Sequence, residues 1–191
     1  MDTTHQPAIC VFCGSSFGDS PRFREEAEAL GAGIAALGYG LVFGGGGLGL
    51  MGAVARAVEQ GGQPVQGIMP AFLRSSEPPI SPQEQLIVTP HLQERKLRML
   101  QLSDAFIVLP GGLGTFDEFF EVATEAQLGV HKKPIIVVNV EGYYDALDAM
   151  LRQIVKRGFA KEMIFSLYHL ADGAKDALKI LAECLTRPPA T

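Results

Sequence analysis

Three groups of residues in this sequence have the types and spacing to do chemistry. Two are glycine runs, Gly44-Gly45-Gly46-Gly47-Leu48-Gly49 and Gly111-Gly112-Leu113-Gly114, the second leading directly into Thr115-Phe116-Asp117-Glu118. The third is the basic pair Arg95-Lys96. A glycine run that joins a strand end to a helix start leaves backbone amides free, with the positive end of the helix dipole behind them. A phosphate monoester suits that environment, and Thr115 adds a hydroxyl donor. An arginine at position 95 can face the same crevice as the Glu118 carboxylate.

Each feature also has a plainer reading. Gly47-x-Gly49-x-x-Gly52 and Gly44-x-Gly46-x-x-Gly49 both spell the dinucleotide fingerprint, a weak signal alone. Here it follows the second strand, and the next strand ends in Met69-Pro70 rather than in an acidic ribose ligand. That argues against a nicotinamide dehydrogenase, and no Lys-Ser or Lys-Thr follows a glycine run as a P-loop requires. Gly31 and Gly33 read as close helix–sheet packing. Thr115-x-x-Glu118 is also a capping box, in which Glu118 would reach back to the Thr115 amide. The two readings compete for one carboxylate. Arg95-Lys96-x-Arg98 also fits a solvated basic helix face.

The elements that must position these residues alternate along the chain. Unalternating apolar runs at 8–12, 39–43, 64–69, 105–109 and 134–138 read as buried strands, with shorter ones at 85–88 and 167–170. Helical spacing covers 21–37, 50–60, 90–102, 115–128, 143–156 and 173–185, the first opened by Ser20-Pro21 and closed by Gly38. Segment 70–83 is irregular. Buried strands each followed by a helix predict an α/β fold: a doubly wound, Rossmann-like parallel sheet in one domain spanning 1–191. Ligands of such sheets sit beyond the C-terminal strand ends. The loops after Phe12, Phe43, Val88 and Leu109 therefore open on the functional side, which adds Gly14, Ser15, Gly45, Gly46 and Gly111 as candidate contacts. Asp104 falls at the opposite end, as a cap or turn residue.

Composition narrows the partners. With 191 residues and a net charge of −5, the chain lacks the basic surplus that bulk binding to nucleic acid or an anionic membrane needs. Cys10 and Cys13 scan as C-x-x-C but lie on one strand, where residues three apart face opposite ways, so they read as core thiols. Three cysteines, no leader-like start and no long apolar run predict a soluble cytoplasmic protein. His5, His91, His131 and His169 have no ligand spacing, so neither a metal nor a cofactor is expected.

Together these residues resemble a known family. Pro110-Gly111-Gly112-Leu113-Gly114-Thr115-Phe116-Asp117-Glu118 is similar to the PGGxGTxxE signature of the LOG family, the cytokinin-activating phosphoribohydrolases, and Arg95-Lys96 to its Arg-Lys hallmark. Cys13-Gly14-Ser15-Ser16, Phe43-Gly44-Gly45-Gly46, Gly49-Leu50-Met51-Gly52 and Gln127-Leu128-Gly129-Val130-His131-Lys132-Lys133-Pro134 resemble further family segments in order. The resemblance implies hydrolysis of the N-glycosidic bond of a nucleoside 5′-monophosphate, AMP or N6-prenylated AMP, to free base and ribose 5-phosphate by a homodimer. It carries catalytic roles onto Arg95 and Glu118 and substrate contacts onto Lys96, Gly112, Gly114, Thr115, Thr124 and Glu77. Met99, one turn after Arg95, is either a neighbour of the base or core filler. Glu125 stands where many members have tryptophan, and Pro78-Pro79 interrupts a loop that often bears acidic residues; both bear on base preference. The helix start favours an ionised Glu118, which would stabilise positive charge on the sugar. Relatives of this fold have been labelled lysine decarboxylases, yet no pyridoxal-phosphate framework is visible. The same loops would also serve a non-catalytic carrier or sensor of nucleotides or a pterin cofactor, or a nucleosidase of general purine metabolism.

Overall fold

The computed structural model describes residues 6–75, 78–81 and 85–186. Its centre is a seven-stranded sheet in which every pairing is parallel, in the order β4-β3-β2-β1-β5-β6-β7. The strands are β1 (Ala8–Phe12), β2 (Gly40–Phe43), β3 (Val65–Pro70), β4 (Gln85–Thr89), β5 (Ala105–Val108), β6 (Ile135–Val138) and β7 (His169–Ala171). The helices are α1 (Pro21–Ala36), α2 (Gly49–Gln60), α3 (Leu92–Leu102), α4 (Leu113–Gln127), α5 (Asp145–Lys156) and α6 (Ala174–Thr186). Every element read from the sequence is present, with ends displaced by one or two residues in most cases.

Both sheet faces are covered, as continuous apolar strands require. Side chains alternate along β1, so Ile9 and Val11 join the core under α1, α2 and α6, while Cys10 and Phe12 join the one under α3, α4 and α5. Cys13 falls in the first core and Cys10 in the second, so the two thiols are separated by the sheet. Burial of Phe106, Ile107 and Val108 along β5 stabilises the sheet centre by roughly 1.5–3 kcal/mol per side chain.

Helix packing corrects one expectation. Gly31 lies against the backbone of Val54 in α2 and Gly33 against Leu178 in α6, so both serve helix–helix rather than helix–sheet contact. α1 starts as anticipated, with Ser20 Oγ accepting the Arg22 amide and Pro21 in the first turn. Asp104 lies at the opposite end of the sheet from the site, as expected, but its carboxylate accepts the amide of Ala8, tying the entry of β5 to the start of β1 rather than closing a local turn.

The strand order creates the crevice. The chain winds outward from β1 to β4, then returns to add β5 on the other side of β1. Connections leaving β1 and β5 therefore diverge to opposite faces, and the gap beyond Phe12 and Val108 is the switch point where α/β sheets bind ligands.

Candidate active site

Three loops meet at that gap. The Gly14 amide donates to Pro110 O at 3.0 Å, and Gly14 O accepts the Met51 amide at 3.3 Å, so the β1 loop is held between the β5 and β2 loops. This closeness explains particular glycines. A side chain at Gly49 would strike the Ser15 backbone, and one at Gly111 would strike Thr115 Oγ1. Gly45 and Gly46 have φ of 76° and 90°, the left-handed region that L-residues avoid. Around Gly112 and Gly114, by contrast, an added methyl meets nothing within 4 Å. Those two residues face open space.

α4 begins at Leu113 with Gly112 as its N-cap, and no side chain caps it. The first amides of a helix have no intrahelical partners, so this start presents donors and a positive dipole end to an anion. α2 likewise starts without a side-chain cap after Leu48. A cavity of about 200 Å³ adjoins the α4 start, lined by Gly14, Ser16, Phe17, Gly111, Gly112 and Tyr143 among others.

The helix boundary decides the Thr115–Glu118 question. Because α4 starts two residues before Thr115, Thr115 is not the N-cap and the capping box does not form. Glu118 instead pairs with Arg95 of α3, with Nη1 and Oε1 3.1 Å apart. Both are withdrawn from water, their side chains 14% and 8% exposed. Arg95 is fixed a second time by donating from Nε to Ile68 O at 3.0 Å. The solvated-face reading of Arg95 is thereby excluded, whereas Arg98, half exposed, follows it.

The helix start does not decide the ionisation of Glu118 alone. Burial pushes its carboxyl up to about 7, although the Arg95 charge pulls the other way. The dipole of α4 does not prevent this, because Glu118 lies beyond the first turn where that effect is concentrated.

Lys96 points away from the glycine loops. Its ammonium pairs with Asp117 at 3.0 Å and with Glu121, so it sits within a carboxylate row on α4. Asp117, Glu118, Glu121 and Glu125 fall at helical spacing, the signal from which Glu121 could have been found. Glu125, further along the row, has a carboxylate oxygen buried without a hydrogen-bond partner.

Other candidates separate. Gly14, Ser15, Gly45, Gly46, Gly111, Gly112, Gly114 and Thr115 lie on the three loops or the α4 start. Met99 is core: 1% exposed, packed in the cluster under α3, α4 and α5. Thr124 lines an apolar hollow of about 250 Å³ with Phe119, Phe120, Phe159 and Tyr168, apart from Glu118 and Arg95. Glu77 lies outside the described residues. Sequence reading places Gly44 in a ligand loop but does not show that its bare Cα makes space for the Arg95 guanidinium, and it does not find Tyr143 and Tyr144, whose hydroxyls reach Gly111 O and Leu109 O. Among the described residues no group of three or more His, Cys, Asp or Glu is arranged to hold a metal, and no helix is long and apolar enough to cross a membrane.

Comparison with known proteins identifies the family. A family model described as "Possible lysine decarboxylase" matches residues 51–181. The cytokinin riboside 5′-monophosphate phosphoribohydrolase LOG7 of Arabidopsis thaliana is 41% identical over 175 residues, covering 92% of this chain and 81% of that protein. The probable enzyme of the same name LOGL9 from Oryza sativa subsp. japonica is 44% identical over 169 residues, covering 88% and 73%. Among solved structures, the molybdenum cofactor binding protein of Rippkaea orientalis superimposes with a TM-score of 0.74 over 96% of this chain and all of that one. At 22% identity it shares the fold. The family model over residues 51–181 and the identity to the plant enzymes over most of the chain place this protein in the LOG family of phosphoribohydrolases.

Proposed function

We propose that this protein hydrolyses the N-glycosidic bond of a nucleoside 5′-monophosphate, AMP or its N6-prenylated form, releasing free base and ribose 5-phosphate. The observation that carries the reading is the buried Arg95–Glu118 pair, one and a half turns from an uncapped helix start within the signature loop. The 5′-phosphate meets the amides at Gly112–Thr115, which anchors the sugar near the pair. Breaking the bond between C1′ and the base nitrogen builds positive charge on the ribose, which an ionised Glu118 stabilises. With its carboxyl near 7, Glu118 also accepts a proton from the attacking water at neutral pH. The water oxygen bonds to C1′, and the bond electrons leave with the base. Arg95 stays charged throughout, so it neutralises negative charge, and the proton that the departing base takes up is the one Glu118 removed from the water, returned directly or through solvent.

Further aspects follow. Leu113, Phe120 and Leu128 are 90%, 37% and 72% exposed along one side of α4, a face suited to a second copy of this chain, so the working form is a homodimer. Cys10 and Cys13 are buried thiols on opposite faces of the sheet and the net charge is −5, which fits a cytoplasmic enzyme of small anionic nucleotides without a nucleic-acid partner.

The test is to incubate the protein with AMP and N6-prenylated AMP and to separate free base by chromatography. Release of base by the natural sequence and its loss in Glu118→Gln and Arg95→Ala, both still folded by circular dichroism, is the expected result. Tight nucleotide binding with no base released would instead mark a carrier. Relative rates on the two substrates separate a cytokinin role from general purine metabolism.

A further inference from the structure

The carbonyl oxygens of the signature loop are tied down from the β6 side of the crevice. After β6, the chain turns through Glu141 and Gly142, both at positive φ (52° and 73°), and delivers two consecutive tyrosines to the start of α5. Asn139 fixes this turn: its Oδ1 accepts the Tyr144 amide at 2.7 Å, and its Nδ2 donates to Asp145 Oδ1 at 2.8 Å. The Tyr144 hydroxyl, buried, donates to Leu109 O at 2.7 Å, and the Tyr143 hydroxyl donates to Gly111 O at 2.5 Å. Between these two bonds, Pro110 O accepts the Gly14 amide. Three successive carbonyls, those of residues 109, 110 and 111, are thus each held by a donor from outside the loop.

A trans peptide makes this consequential, because its C=O and N–H point in opposite directions across one rigid plane. Holding Gly111 O towards Tyr143 turns the N–H of the same peptide unit, that of Gly112, the other way. Gly112 has no side chain to restrict it, and a Cβ added there would meet no neighbour within 4 Å. Tyr143 is itself steadied edge-on by Phe23, ring centres 5.9 Å apart, and by Tyr144 at 5.1 Å. It also lines the cavity beside the α4 start.

We propose that Tyr143 is a positioning residue for anion binding: its hydroxyl sets the direction in which the Gly112 amide is offered to the phosphate of the substrate. The proposal rests on the reading of the α4 start as a phosphate site. Tyr143 touches no reacting atom, so its contribution lies in ground-state grip of a part of the substrate remote from the bond that breaks.

The experiment uses the full chain and Tyr143→Phe, which keeps the ring and its packing and removes one hydroxyl. Steady-state rates on AMP are measured together with inhibition by ribose 5-phosphate and calorimetric titration with inorganic phosphate. KM for AMP and the inhibition constant are expected to rise in parallel, roughly tenfold, with kcat changed less than twofold and slow cleavage of unphosphorylated adenosine unaltered. Unchanged phosphate and ribose 5-phosphate affinities in Tyr143→Phe overturn the proposal. So does an equal loss on AMP and adenosine with a lowered Tm, which marks a purely structural hydroxyl. If the natural sequence binds phosphate but releases no base from any nucleotide, the hydrolase reading fails while the phosphate titration still decides the role of Tyr143.

Discussion

Gly44 leaves empty the volume that the Arg95 guanidinium fills: a methyl group built on Gly44 collides with Nη2 of Arg95. The glycine loop after β2 thus seats the charged partner of Glu118, besides any part it has in ligand contact. Gly44 carries no positive φ, so alanine is compatible with its backbone. The obstacle is the far end of one flexible side chain. Gly44→Ala is therefore expected to fold, at a cost of roughly 1–3 kcal/mol because it pushes the guanidinium off the buried Glu118. Base release should fall by about tenfold or more, since misplacing a catalytic group by about 1 Å costs on the order of 10²-fold. Thermal unfolding alongside steady-state rates checks it; natural turnover in Gly44→Ala would show that Arg95 works from another position.

The raised Glu118 carboxyl makes activity depend on pH near neutrality. If the carboxylate is the working form, kcat/KM falls about tenfold per unit below a midpoint near 7, and the residual rate of Glu118→Gln lacks this step. The Lys96 charge pulls the Glu118 carboxyl downward, against burial. Lys96→Met is accordingly expected to move the midpoint to higher pH. A midpoint unmoved in that variant would mean that Asp117 and Glu121 already cancel the lysine at Glu118.

Stability carries the same information with a definite sign. The folded carboxyl, about 7, lies above its ordinary value of 4.5, so the native state holds this proton more tightly than the unfolded chain does. The contribution is complete below pH 4.5 and is lost as pH rises through 7. Glu118→Gln removes the loss. Denaturant unfolding should show the natural sequence losing stability relative to Glu118→Gln between pH 4.5 and 8, on the order of 3 kcal/mol. A constant difference across that range would contradict the shift.

How far the sequence discloses this site varies with the range of the interaction. The strands were legible because they are apolar throughout, and the functional side followed from parallel order alone. The Arg95–Glu118 pairing was not fixed, since 23 positions separate the two and only the packing of α3 beside α4 sets their 3.1 Å contact. The α4 start was misplaced by two residues because Thr115-x-x-Glu118 imitates a cap, while the actual N-cap, Gly112, has no side chain to announce itself. Lys96 is a ligand contact only through the family resemblance, and a motif does not give the direction of a side chain, which here runs to Asp117 and Glu121. Thr124 comes from the same resemblance, and it lies six residues after Glu118, about a third of a turn out of phase on a helix of 3.6 residues per turn, so it faces a different hollow.

Gly111 and Gly112 are adjacent in sequence and opposite in surroundings, which allows packing and binding to be separated. A methyl at Gly111 strikes Thr115 and comes within 2.7 Å of the Gly14 amide nitrogen, which belongs to the hydrogen bond holding the β1 loop to Pro110. Gly111→Ala must shift backbone, so a destabilisation of ~1–3 kcal/mol is expected together with weaker nucleotide binding. A methyl at Gly112 meets no protein atom within 4 Å, and the φ of −92° suits any residue. Gly112→Ala should keep the natural Tm, yet intrude on the space where the phosphate approaches the amides. Its KM for AMP is expected to rise at least tenfold while unphosphorylated adenosine is handled as before. If Gly112→Ala binds AMP as the natural sequence does, the phosphate does not approach the α4 start from that side.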